Sequence, residues 1–296
     1  VNVWVIFIAL ITGRSDNAYL SLAAAFTFIP IYAFRTRQGI RRYVVLLATF
    51  LTSLKVIEWI ATTYADRVYR IDSLYNSLVS FSKLILLIKV LWIIAIILYL
   101  IDFISKKADA TVSPWFSRIW IGLIVIGFAA FLYVLYDVNI VGNADKYGSA
   151  KSFLLFNDSW GTHRGVIWRL AIEDYQDFTP IHKLFGYGPD TFGLVTYYHN
   201  MDIMTNVYHQ IFDSAHNEYL QFFITVGPIG LLSYLAIFVT AFIQIIKKGC
   251  QNPYVIAAMF GVLCYSAQAT VNIGTPITIP IMFLFLSMAL AGCREA

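Results

Sequence analysis

Charge is scarce in this chain. Asp, Glu, Lys and Arg make up 13% of its 296 residues, against about 25% in soluble domains. With 59% hydrophobic residues and a mean hydropathy of +0.70, this composition excludes an ordinary soluble domain and points to a membrane protein. Cysteine is nearly absent. Cys250, Cys264 and Cys293 fall beside or inside apolar runs, so no disulfide framework staples the polar part of the chain, and they lack metal-ligand spacing. Histidine is confined to one place: His163, His182, His199, His209 and His216 all lie in a single polar stretch, again without ligand-like spacing, so neither a metal nor another cofactor is expected. Internal repeats, low-complexity tracts and a signal peptide are also missing. The chain opens on Val1 in a clipped apolar run, as the C-terminal part of something longer would.

What is present is long apolar runs. Residues 1–11 (short), 18–34, 43–63, 81–104, 115–136, 218–246, 254–271 and 276–291 approach or reach the roughly 20 residues that a membrane-crossing helix needs. They are too continuous for barrel strands, which alternate over about 10 residues. The expectation is an all-α integral membrane protein of about eight transmembrane helices. Residues 1–136 would supply five, 137–215 one large, partly helical extracytoplasmic loop, and 216–296 an oblique boundary helix and three further spans. Arg35, Arg37, Arg41 and Arg42, then Lys106, Lys107 and Arg118, then Lys247 and Lys248 all fall on one side of such a threading, which the positive-inside rule makes cytoplasmic. The net charge of +4 thus reflects insertion geometry, and no nucleic-acid partner is implied.

The loop is too long for a mere connector and too aromatic for disorder. Arg164 to Tyr175 reads as an amphipathic helix with Thr162 as its N-cap. Ile167/Trp168, Ala171/Ile172 and Tyr175 share one face. Gly186-Tyr187-Gly188-Pro189-Asp190 is a turn cluster, with a phosphate-binding nest as the alternative. Asp213 and Ser214 are N-cap candidates for the next helix and would put His216 in its first turn. Gly227-Pro228 should break the long run 218–246, because proline removes a backbone hydrogen bond.

Arg164 with Trp168, then Gly186-Tyr187-Gly188-Pro189-Asp190-Thr191-Phe192, then Ala215-His216-Asn217-Glu218-Tyr219-Leu220 with Gly227 and Gly230, resemble in their order the O-antigen ligase/polymerase family. These are polytopic bacterial glycosyltransferases with one large loop between late spans. The resemblance covers the last half of the chain. Near the start, Thr12-Gly13-Arg14-Ser15 is similar to a family Ser-Arg step in reversed order. It implies transfer of a glycan from a polyprenyl diphosphate to an acceptor hydroxyl in cell-surface polysaccharide synthesis, at the extracytoplasmic face of the inner membrane. The implied partners are the lipid-linked donor, a glycan or glycolipid acceptor such as lipid A-core of lipopolysaccharide, and membrane lipid. His216 would be the base, since imidazole titrates near 6.5. Arg164 would clamp the diphosphate, with Arg169 as second choice, because guanidinium binds phosphate oxygens in bidentate fashion. Asn217, Glu218, Gly188, Arg14 and Lys89 are further candidates for substrate contact.

Two matters stay open at this point. Charges inside spans are costly and often functional. Lys55, Glu58, Lys83 and Lys89 therefore either line an outward polar cavity or, for Lys55 and Glu58, pair with each other. A repeat-unit polymerase fits the same residues as a ligase, and a polysaccharide flippase is the rival from another class.

Overall fold

The computed structural model describes residues 2–67, 73–106, 110–248 and 252–293; Lys107 and Cys250 lie outside them. Among the described residues the chain is 78% helix with no strand. It divides into two compact units, Val1–Gly127 and Phe128–Ala296, each taken by itself below.

The first unit holds α1 (Asn2–Thr12), α2 (Asp16–Ala33), α3 (Arg37–Thr63), α4 (Ser73–Val79), α5 (Leu84–Ser105) and most of α6 (Trp115–Asn139). Helix α3 starts six residues before its apolar run. The Thr36 hydroxyl caps it, accepting from Gly39 N at 3.0 Å, so Arg37, Arg41 and Arg42 ride on a helix and not in a loop. Phe7, Phe50, Leu54 and Ile57 form the core with Tyr75 and Leu91. Hydroxyls within α3 return to its own backbone: Thr49 to Val45 O at 2.7 Å, Thr52 to Ala48 O at 2.6 Å and Ser53 to Thr49 O at 2.8 Å. That satisfies polar groups without water, as a bilayer interior requires. At one end, Asp102 of α5 is buried between Arg37 (2.7 Å) and Arg41 (2.5 Å) of α3, and Ala110 O and Val112 N bond to Arg37 N and Arg35 O. The start of α3, the end of α5 and the approach to α6 therefore share one end of this unit.

The second unit continues with α7 (Lys151–Leu154), α8 (Trp160–Gln176), α9 (Pro180–Phe185), α10 (Phe192–Asp202), α11 (Glu218–Thr225), α12 (Gly227–Lys247), α13 (Pro253–Gln268) and α14 (Thr278–Gly292). The 137–215 segment shares a core with α11: Val166, Ile167, Leu170 and Ala171 of α8 meet Phe192, Val195, Met204, Phe212 and, from α11, Ile224. Helices α12, α13 and α14 pack through Tyr234, Phe238, Val262, Met282 and Leu286. At one end of this bundle Lys248 donates to Cys293 O at 3.3 Å. At the other, Glu218 N donates to Ala269 O at 2.9 Å.

Among the described residues, four helices are long and apolar enough to cross a membrane: α3, α5, α6 and α12. The other expected spans are α1 (11 residues), α13 (16) and α14 (15), shorter than about 20 residues, and α2, which carries Asp16, Asn17 and Pro30. Long apolar faces stay uncovered on α5 and α6, among them Ile93, Ile97, Phe103, Leu123, Ile126 and Phe128, more apolar surface than an aqueous protein normally shows.

The Gly227-Pro228 break is present: α11 ends at Thr225 and α12 begins at Gly227, whose φ is +72. Its cause is a docking that periodicity cannot show. A Cβ on Gly227 would lie 2.1 Å from Leu184 O, and one on Gly186 (φ +66) would lie 2.2 Å from Thr225 O. The end of α9 and the α11–α12 junction thus interlock backbone to backbone, and Gly188 N donates to Thr225 O at 2.8 Å.

Candidate functional site

His216 is not in the first turn of a helix. Asn217 is the N-cap of α11, its side chain accepting from Leu220 N at 3.1 Å, and His216 stands just outside with φ +46. Asp213 and Ser214 do not cap α11. Side-chain capping by Asn217 outcompetes them because its extended backbone aims the amide oxygen at the exposed N–H groups. Thr162 is also not a cap: Gly161, Thr162 and His163 run through left-handed geometry (φ 59, 60 and 71) before α8 becomes regular.

Three helices, α8, α10 and α11, converge on the strap 212–216, whereas Gly186 and Gly188 of the turn cluster dock on Thr225 O instead. From α8, Trp168 Nε1 donates to Ala215 O at 2.8 Å. From α10, the Thr196 hydroxyl donates to Phe212 O at 3.1 Å, and a Cβ on Gly193 would sit 3.0 Å from Asp213 Cα. From α11, Gln221 Oε1 accepts from Ala215 N at 2.8 Å. Both backbone groups of Ala215 are therefore fixed, and His216 projects from an anchored backbone.

The imidazole is half-buried, and among the described residues no hydrogen bond engages its ring. Burial lowers its pKa below 6.5, the Arg164 guanidinium lowers it further, and Asp213 opposes both. Arg164 is thus a neighbour that keeps His216 neutral, the form a base needs. The Arg164 side chain folds back to donate from Nη1 to Gly161 O at 3.0 Å.

Other candidates have structural engagements. Arg169 binds Asp158 through Nε (3.0 Å) and Nη2 (2.8 Å) and Glu173 through Nη1 (3.1 Å), so two carboxylates neutralise it. Glu218 is buried and accepts from the hydroxyls of Tyr234 of α12 and Tyr265 of α13, the latter at 2.6 Å. It joins three helices. Gly188 supplies a left-handed turn (φ +110) where an added Cβ would meet only Thr191 Cγ2, at 3.8 Å. Lys55 pairs with Glu58 at 2.6 Å, as one of the two sequence readings held. Lys89 is exposed, as is Arg14, which has φ +53; both belong to the first unit. His182 bonds Gly186 O, His199 bonds Val195 O and His209 bonds Thr205 O. No trio of His, Cys, Asp or Glu gathers among the described residues. Tyr234, Tyr265, Gln221 and Asp213 are site residues that sequence reasoning missed. The one signal for the tyrosines was a polar tip inside an apolar run.

The structure thus defines an all-helical protein with four helices of membrane-crossing length and apolarity among its described residues, whose polar segment folds around an anchored histidine. No protein-family model, curated protein or solved structure matches the chain.

Proposed function

We propose that the chain is a multi-pass glycosyltransferase of the O-antigen ligase/polymerase type, with its spans in the inner membrane and its large loop on the extracytoplasmic side. In this reading the shorter helices α1, α2, α13 and α14 complete about eight crossings. The observation that supports it is His216: half-buried, unbonded at its ring, held neutral by burial and Arg164, and set on a fixed backbone. His216 takes the proton of an acceptor hydroxyl as that oxygen attacks the anomeric carbon of the donor glycan. The carbon–oxygen bond to the diphosphate breaks, and polyprenyl diphosphate leaves with the electron pair. The guanidinium of Arg164 offsets the negative charge that develops there. Glu218 and Asn217 are positioning residues, and Arg169 braces α8.

The test is reconstitution of the purified chain in vesicles with a polyprenyl-diphosphate-linked oligosaccharide and an acceptor glycolipid. The expected result is stoichiometric release of polyprenyl diphosphate and growth of the acceptor, lost by at least a hundredfold in His216→Ala at equal protein level. Passage of the donor across the bilayer with its diphosphate bond intact identifies a flippase and overturns the proposal.

A further inference from the structure

Ahead of α8 lies an open cleft of about 460 Å³, lined by Lys151, Ser152, Leu155, Asn157, Ser159 and Trp160 among others. That volume is within the roughly 300–1,000 Å³ range of small-molecule sites. Three features select its occupant. Lys151 is already paired with Asp145 at 2.6 Å, so the cleft offers no uncompensated cation for a phosphate. The Ser159 hydroxyl donates to Asn157 Oδ1 at 2.8 Å, which orients the amide and turns its NH₂ donors away from Ser159. Trp160 has its N–H occupied by Phe153 O at 3.0 Å, leaving its indole as an apolar wall. An apolar aromatic wall beside hydroxyls and an oriented amide matches a neutral sugar, which has an apolar C–H face and a rim of hydroxyls.

Trp160 is also the link to the site. Its ring lies 5.1 Å from that of Trp168, whose N–H holds Ala215 next to His216. The geometry points to this cleft as a subsite for a neutral hexose chain. Resting on the transferase reading, it holds a stretch of glycan away from the reacting bond while the chain end reaches His216. Because the cleft is open, it suits a chain passing through it better than an enclosed single sugar.

The experiment applies the full chain, purified in detergent micelles, to an array of neutral bacterial surface oligosaccharides and measures the affinity of the strongest binder. Inorganic pyrophosphate is titrated in parallel. The expected result is oligosaccharide binding weakened at least tenfold by Asn157→Ala and by Trp160→Ala, and unaffected by pyrophosphate. Because Trp160 also packs on Trp168 and Phe156, Ser152→Trp serves as a second variant. It fills the cleft from an exposed position and must also weaken binding. No binder on the array, binding indifferent to all three cleft variants, or pyrophosphate competing for the cleft overturns the inference. Cleft-dependent binding by a chain that releases no polyprenyl diphosphate leaves the subsite standing and removes the transferase reading.

Discussion

A neutral imidazole next to a guanidinium makes a specific kinetic prediction. Burial and Arg164 both lower the His216 pKa below 6.5, so in the free protein the base is competent at lower pH than an ordinary histidine. A diphosphate bound at Arg164 would cancel that positive charge and raise the His216 pKa again. The acid limb of kcat/KM, which reports the free protein, is therefore expected at lower pH than the acid limb of kcat, which reports the complex. Arg164→Gln should move the kcat/KM limb upward, besides weakening donor binding. A kcat/KM limb unmoved by Arg164→Gln would separate Arg164 from the base. Glu218 makes a different prediction. Glu218→Ala leaves the Tyr234 and Tyr265 hydroxyls without their buried acceptor, at about 1–3 kcal/mol each, whereas Glu218→Gln retains an acceptor oxygen. Thermal unfolding in micelles should show a clearly larger drop for the alanine variant. Residue types were legible in the sequence here, and their partners were not. His216, Asn217 and Glu218 are consecutive, yet they have different roles: Asn217 caps α11, Glu218 accepts from tyrosines of two other helices, and His216 remains. Glu218 meets tyrosines 16 and 47 residues away, a pairing that only tertiary packing makes.

At the scale of elements, apolar runs gave helix ends well where composition changes sharply, as at Thr63 of α3. They failed where a cap or a docking decides. Thr36 extends α3 into the basic segment, and α9 exists as a short helix because the 137–215 body and the α11–α12 junction hold it. The glycines separate these influences. Gly186→Ala and Gly227→Ala each drive a Cβ to about 2 Å from a backbone oxygen at positive φ, which neither flexible side chains nor rotamers relieve. Both should abolish stable expression. Gly188→Ala meets only Thr191 Cγ2 at 3.8 Å and should cost about 1–2 kcal/mol, from left-handed geometry alone. Gly122 and Gly127 in α6 have no neighbour within 4 Å, and alanine there should be neutral or stabilising by up to about 1 kcal/mol. Equal effects at Gly186 and Gly188 in a fluorescence-detected melt would remove the interlock as the reason for the turn.

For the whole molecule, the sidedness that the proposed function requires can be tested on four helices alone. The four that qualify by length and apolarity, α3, α5, α6 and α12, all lie between Arg35 and Lys247. If all four cross, as the proposed function requires, an even number of crossings predicts that Arg35 and Lys247 are accessible from the same side, whether or not the shorter helices span. Tyr198 follows three of the four in sequence and is therefore predicted on the opposite side. With Cys250, Cys264 and Cys293 replaced by serine, Tyr198→Cys (84% exposed) should react with a membrane-impermeant maleimide in intact spheroplasts. Arg35→Cys and Lys247→Cys should react only after permeabilisation. Ile277→Cys, 76% exposed and just beyond α13, decides what parity leaves undetermined. At about 1.5 Å per residue the 16 residues of α13 fall short of a roughly 30 Å hydrocarbon core. The bond from Glu218 N to Ala269 O nevertheless ties its far end to the start of α11, next to His216. If α13 crosses, Ile277→Cys labels with Tyr198→Cys. If it labels only with Lys247→Cys, α13 and α14 do not span, and a transferase site with eight crossings around it is wrong.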